Sequence, residues 1–345
     1  MGANRLGSLA VLLFLLLSAV FPQAAKAGVL TGLRLSAGSL IPALFPFSVG
    51  AGILVRTGFG AQPGRGTERF LNRCFGLPGG AFLPLALGFL GGYPLGAQIL
   101  ADQVRAGALS RRDGIRLSAF CCNAGPGFLL GAVGPVVLRA PALGAALLLI
   151  HIGAALLTGL LLREPGIPGK RRDVRSVPAV SLPAALPEAV FTAAVGMVRL
   201  TGSVVLFSVL DRLLAAPLTL LPDGARSLLR GFLELSGGVL SLQTASLPTA
   251  FLGSAVLLGW GGLCVHLQAA QFFGPAGIPM GLYLTGKALH ALLSGALAEL
   301  FLLFTGLSLP AEPSLLIPAA AAFPLFFLFF LILRKIHWKN GKSML

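Results

Sequence analysis

The sequence predicts an all-α polytopic membrane protein built from two repeats with broken or re-entrant helices. Three observations predict it: an apolar composition, several runs long enough to cross a bilayer, and glycine–proline interruptions that recur in both halves. Of 345 residues, 56% are hydrophobic and 11% are charged, whereas a soluble domain carries about 25% charged residues. A soluble enzyme of this size is excluded, because its apolar surface would exceed any core it builds. Disorder is excluded as well, since it requires low hydrophobicity.

A spanning helix needs about 20 mostly apolar residues. Candidates lie at 6–21, 36–55, 140–162, 189–210, 247–273, 289–307 and 315–333. No period-2 alternation suggests a β-barrel. The net charge of +15 is spread over short connections between apolar runs, as membrane orientation requires, so no nucleic-acid partner is expected. Cys74, Cys121, Cys122 and Cys264 form no C-x-x-C pair, which argues against a disulfide framework, a zinc site or any other metal centre. Arg5, the apolar run and Ala25-Lys26-Ala27 have the form of a signal peptide. An uncleaved first helix ended by Pro22 is the preferred reading, because everything downstream is also membrane-embedded.

The clearest break along the chain is 163–187, with Arg163, Lys170, Arg171, Arg172 and Arg175 among several prolines. Its basic cluster places this linker in the cytoplasm. The basic tail from Arg334 to Lys342, with Trp338 at the interface, belongs on the same side, so an even number of crossings separates them. The resulting division is 1–35, a membrane helix (or signal-like segment) and interfacial stretch; 36–163, a first half; 164–187, the linker; 188–310, a second half; and 311–345, a final membrane helix with its cytoplasmic tail.

Each half holds a glycine-rich, poorly helical stretch opening with Gly-Phe-Leu: Gly88-Phe89-Leu90-Gly91-Gly92-Tyr93-Pro94-Leu95-Gly96, and Gly231-Phe232-Leu233-Glu234-Leu235-Ser236-Gly237-Gly238. Asn123 follows Gly92 by 31 residues and Gln268 follows Gly237 by 31, one equal spacing that fits repeats with a broken helix in each. Gly91-Gly92-Tyr93-Pro94 and Asn123-Ala124-Gly125-Pro126 are read as outright helix breaks, tolerated only where backbone is buried in protein or lines a watery cavity. Between them, 98–116 reads as a solvent-facing connection, with one helix ending near Gly107 and the next capped by Ser110 and Asp113.

Ionisable groups stranded in apolar runs are costly and point to function. Here they are Arg199, Glu234, His266 beside Gln268, Lys287 with His290 on one helix face, and Glu299. A structural ion pair of Lys287 with Glu299 or Glu234, and of Arg199 with Glu188 or Asp211, is the plainer alternative. His151, alone on an apolar helix, reads as a hydrogen-bonded packing residue. No G-x-S-x-G, H-E-x-x-H or P-loop occurs, so no catalytic residue and no cofactor are expected.

The run 88–98, continuing through Gly107-Ala108-Leu109-Ser110 to Phe120-Cys121-Cys122-Asn123-Ala124-Gly125-Pro126-Gly127-Phe128, resembles the YlbJ-type sporulation integral membrane proteins of the nucleoside-recognition, or Gate-domain, group. Similar motifs lie at Pro42-Ala43-Leu44-Phe45-Pro46-Phe47, 232–238, 259–268 and 283–291, so the resemblance covers roughly 40–295. It implies two inverted Gate-domain repeats related to concentrative nucleoside transporters. It also implies transport of a small metabolite, plausibly an organic anion such as dipicolinate, across the cell membrane or a membrane around a forespore. Alternatives are a nucleoside-type transporter, a scaffold for a spore layer, and a lipid flippase or intramembrane enzyme. The chain departs from the pattern at Gly91, Gln98, Cys122 and Ala124, where apolar or neutral groups stand in place of polar ones. The expected substrate site is Gly92, Tyr93, Pro94, Asn123, Gly125, Pro126, Arg199, Glu234, Ser236, Gly237, His266, Gln268 and Lys287. In it Asn123 and Gln268 donate hydrogen bonds, Arg199 or Lys287 supplies positive charge, and Glu234 holds a coupling proton or cation.

Overall fold

The computed structural model describes residues 2–59, 64–163, 180–221 and 223–307, and these are helical throughout, with no strand. The expected span at 315–333, the basic tail and the cluster 170–175 lie outside them.

Helix α1 (Gly2–Val20) presents Leu9, Leu12 and Leu16 outward, each about 60% exposed. Such a surface suits lipid and not water. Pro22, which has no N–H to give a continuing helix, starts α2 (Pro22–Leu35), and the segment 22–40 lies at 103° to 7–20. A π-helical turn (Ser36–Leu40) then leads into α3 (Ile41–Arg56), so the boundary drawn at 35/36 falls inside a continuous helical run. A Cβ built on Gly28 would stand 2.5 Å from Val209 Cα, and one on Gly32 2.6 Å from Val205 Cα. These glycines therefore let α2 lie backbone to backbone on α10 (Leu182–Leu218), the close packing that small residues permit in lipid.

Helix α4 (Arg65–Phe75) meets α5 (Phe82–Gly91) in a second bent pair, at 88°. Then follow α6 (Leu95–Arg105), α7 (Arg111–Cys121), the single turn α8 (Pro126–Phe128) continuing as a π-helix (Leu129–Val137), and α9 (Pro141–Leu161). Beyond α10 come α11 (Asp223–Leu233), α12 (Leu235–Ser241), α13 (Leu247–Trp260), α14 (Gly262–Phe273) and α15 (Met280–Thr305).

Among the described residues, five helical stretches are long and apolar enough to cross a bilayer: 111–137, 141–161, 182–216, 247–273 and 280–305. The two bent pairs raise this to seven if each is one span. The protein is thus a multi-pass integral membrane protein. The first of these stretches differs from the sequence reading, which made 98–116 a solvent-facing connection. Ser110 does cap α7, its Oγ accepting from the Asp113 amide at 3.1 Å. Residues 95–101 are buried, however, and so is Arg116. Arg116 donates to Gly76 O at 2.8 Å and Phe75 O at 2.7 Å, so a charge that hides the span from a hydropathy count serves as the C-terminal cap of α4. The linker also ends earlier than expected. Helix α10 begins at Leu182, because Pro183 falls in its first turn, where no hydrogen-bond donor is needed, and Pro187 lies inside it; its Glu188 lies 3.6 Å from Arg56.

The described residues form four apolar clusters, of which two are large. One gathers α4, α6, α7 and the start of α15 around Leu71, Leu100, Phe120 and Tyr283. The other gathers the π-helix, α9, α12, α13 and α15 around Val133, Leu147, Val239 and Phe251. Tyr93 packs against both and marks the seam between them.

Candidate functional site

Four helix interruptions meet at that seam. The first is Gly92-Tyr93-Pro94 between α5 and α6, and the second is Cys122–Gly125 between α7 and α8. The third is Glu234 between α11 and α12, and the fourth is Gly261 between α13 and α14. A Cβ on Gly92 would lie 2.6 Å from Gly125 N, so the first two breaks touch through backbone. A Cβ on Gly261 would lie 3.1 Å from Tyr93 Oη, and one on Gly262 3.0 Å from Leu235 N, which joins the other two. Helices α6, α8, α12 and α14 all start here, so their positive dipole ends converge, with the first amides of α12 already held by Glu234.

The sequence placed the first two breaks and Glu234 correctly. The fourth, which the sequence reading did not name, lies at Gly261, 27 residues after Glu234, because the left-handed pair Gly261 (φ +92°) and Gly262 (φ +81°) stops α13. In each half a short helical hairpin precedes a broken helix, which precedes an unbroken one, α9 or α15. Those two carry His151 and His290, each eleven residues after its helix's N-cap, Ala140 or Pro279. The two imidazoles face each other with centroids 4.5 Å apart.

Lys287 lies at the centre, fully buried at 0% exposure. Its Nζ donates to Cys122 O at 2.9 Å and lies 3.2 Å from His290 Nδ1. Tyr93's ring sits beneath it at 5.0 Å. His290 Nε2 contacts His151 O at 2.9 Å. A carbonyl only accepts, so Nε2 carries the imidazole proton and Nδ1 is left to accept from Lys287. His151 Nε2 in turn accepts from the Ala124 amide at 3.1 Å, which tethers the second break to α9. Asn123 donates to Phe120 O at 2.8 Å. Asn123 Oδ1, His151 Nδ1 and His266 Nε2 are buried with no hydrogen-bond partner. Among the described residues Lys287 makes no ion pair. The expected Lys287–Glu299 pair does not form, since twelve residues of α15 separate them by about 18 Å of helix.

Glu234 acts as the N-cap of α12, its carboxylate accepting from the Ser236 amide at 2.9 Å and the Gly237 amide at 2.6 Å. Burial raises this carboxyl above its ordinary range, while the two amides oppose the shift. Pro94 and Gly125 are the N-caps of α6 and α8, and Pro126 is the first residue of α8.

His266 joins the site from α14, 3.0 Å from Tyr283 Oη and edge-on to Trp260 at 4.2 Å. Gln268 is turned elsewhere: its Nε2 contacts Cys264 Sγ at 3.4 Å, and Cys264 packs against Leu200 and Val204 of α10. Arg199 is exposed on α10 and not part of the cluster. Neither carboxylate considered for it is its partner, since Glu188 faces Arg56 and Asp211 holds Arg230 through two bonds of 2.7 and 2.8 Å. His151 is the hydrogen-bonded packing residue the sequence reading made it, accepting from the Ala124 amide; it also stands at the candidate site, as does Tyr283, which the sequence reading did not single out. The matched positions of the two histidines after their helix starts were the available signal.

The chain is 26% identical over 320 residues, 82% of its length and 78% of the relative's, to the sporulation integral membrane protein YlbJ of Bacillus subtilis (strain 168). This likeness supports a YlbJ-type assignment. No family model and no solved structure matches the chain.

Proposed function

We propose that this YlbJ-type membrane protein carries a small organic anion across a bilayer during sporulation, through the buried site at the seam. One observation carries the reading. Lys287, within a candidate span, is fully buried without a carboxylate partner, at the point where four helices are interrupted. Structural lysines in membranes pair or reach the interface. An amine kept buried without a counter-charge beside converging helix amino ends is suited to a carboxylate brought by a substrate.

The arrangement of hairpin, broken helix and unbroken helix in each half supports two Gate-type repeats of inverted topology. Transporters of that kind bind substrate at broken helices between their repeats. In this scheme Lys287 holds a carboxylate, and Asn123 and His151 present the remaining polar groups. The two cores rock about the seam to open it to either side. Dipicolinate fits this chemistry, because it has two carboxylates on a flat ring that Tyr93 can face.

Thermal unfolding of the purified full chain with and without ligand tests the reading, since a ligand that binds only the fold raises Tm. Dipicolinate is expected to raise Tm in the wild type and not in Lys287→Met. A rise with uridine alone would turn the reading to a nucleoside. No rise with either would end the small-molecule reading and favour a scaffold.

A further inference from the structure

We propose that helix α4 is a binding surface for anionic lipid headgroups, with Arg65, Arg69 and Arg73 as its phosphate contacts, and that it seats the α5–α6 hairpin at the membrane surface. This holds whatever the central site binds.

The first support is the pattern of α4. Arg65, Arg69 and Arg73 recur every four residues, so they lie within an arc of about 80° and rise about 12 Å along the helix. All three are exposed. Leu71 and Phe75 lie on the opposite side, buried in the core with Leu100 and Phe120. Phe70, at the border of the arginine arc, is 55% exposed. A basic face edged by an outward aromatic ring is the composition of a helix lying in the headgroup layer.

The second is orientation. The segment 79–91 lies at 88° to 65–75, and apolar α5 runs inward to the break at the seam. A helix at a right angle to one that enters the bilayer lies along its surface. Arg116 holds the carbonyls of Phe75 and Gly76, and a Cβ on Gly80 would stand 3.5 Å from Ala108 O, so α4 sits beside the α6–α7 turn. The span 111–137 leaves that end and 141–161 returns to it. Helix α4 therefore shares a side with Arg163, where the basic linker begins. The positive-inside rule assigns that side to the cytoplasm, whose leaflet carries anionic lipid.

The third is the want of protein partners. Other arginines at this end are held: Arg56 lies 3.6 Å from Glu188, Arg105 pairs with Asp102, and Arg111 donates to Gly277 O. Among the described residues Arg65, Arg69 and Arg73 form no ion pair. Glu68 leaves the helix a net charge of +2, and Glu68, Arg69, Asn72 and Arg73 line a shallow depression. A guanidinium binds phosphate through two parallel N–H bonds, and the headgroup layer supplies phosphates at this depth.

The test is thermal unfolding of the full chain in neutral detergent, titrated with phosphatidylglycerol, phosphatidylcholine or inorganic phosphate. Phosphatidylglycerol alone is expected to raise Tm, and the rise should vanish at about 1 M salt, where the screening length is about 3 Å. In the triple variant Arg65→Gln, Arg69→Gln, Arg73→Gln, half-maximal stabilisation should need about a hundredfold more phosphatidylglycerol. Its Tm in neutral detergent should match the wild type, because the three side chains are exposed. Should that baseline fall, native mass spectrometry of retained phosphatidylglycerol reads the same difference. Arg199→Gln, a single exposed arginine removed from α10, should respond as the wild type does. Equal responses of the wild type and the triple variant would overturn the assignment to α4. Equal stabilisation by phosphatidylcholine would overturn recognition of charge, and equal stabilisation by inorganic phosphate would overturn the lipid in favour of a free anion. No effect of phosphatidylglycerol on the wild type would overturn the proposal outright.

Discussion

Replacing Gly92 by alanine separates the contact between the first two breaks from ordinary glycine strain. Gly92 has φ +77° and ψ −170°, a region essentially open to glycine alone, and alanine there costs about 1–3 kcal/mol. The new Cβ would also stand 2.6 Å from Gly125 N and 3.0 Å from Gly125 Cα. Those are backbone atoms that cannot rotate away, so crowding adds about 1–3 kcal/mol. Gly107 is the matched control, with φ +76° and nothing within 4 Å of its built Cβ. Gly107→Ala pays only left-handed strain, about 1–2 kcal/mol. The difference, about 1–4 kcal/mol, measures the approach of the breaks and the more restricted backbone at Gly92. At about 2 °C per kcal/mol for a larger chain, Gly92→Ala melts about 2–8 °C below Gly107→Ala. Trp260 is the probe for thermal unfolding in detergent, because it stacks on Phe232 at 5.1 Å beside the fourth break. Equal melting temperatures for the two variants would refute the contact.

Further predictions follow from the same geometry. Glu234→Ala removes the carboxylate that accepts from two α12 amides and is expected to cost about 1–2 kcal/mol in thermal stability, with Glu234→Gln between it and the wild type. Because the folded state holds the Glu234 proton more tightly than the unfolded chain does, this group favours the fold as pH falls toward the ordinary carboxylate range. That contribution is lost as pH rises through the folded value, so Glu234→Gln should flatten Tm against pH in that window. Arg116→Met leaves two carbonyls at the end of α4 without their donor and should cost about 2–3 kcal/mol in the same melts. Arg199→Gln, on an exposed face of α10, should leave both stability and ligand-induced stabilisation unchanged. Lys287→Met leaves Cys122 O and His290 Nδ1 without their donor and should cost about 1–3 kcal/mol in the same melts.

Class and much of the site were legible in the sequence for physical reasons. Apolar runs of bilayer length have few alternatives, and the glycine- and proline-rich stretches at 91–94 and 123–126 favour helix breaks. The stretch 111–137 was not legible as a span, because whether Arg116 meets water or the carbonyls of Phe75 and Gly76 is decided by tertiary packing. Arg199 and Lys287 looked alike as lone basic residues in apolar runs. One faces outward and the other is fully buried, and only the packing of α15 against α7 and α9 distinguishes them. Gln268 shows how spacing misleads. Its distance from Gly237 equals that from Gly92 to Asn123, yet its side chain faces Cys264.

Uptake of radiolabelled dipicolinate into proteoliposomes tests the central claim most directly, comparing wild type, Lys287→Met and empty liposomes. The account predicts saturable uptake by the wild type and only background uptake by Lys287→Met, with the variant folded and inserted to the same extent. Equal uptake by the two would contradict a role for the buried amine, and wild-type uptake no greater than that of empty liposomes would contradict transport of this anion.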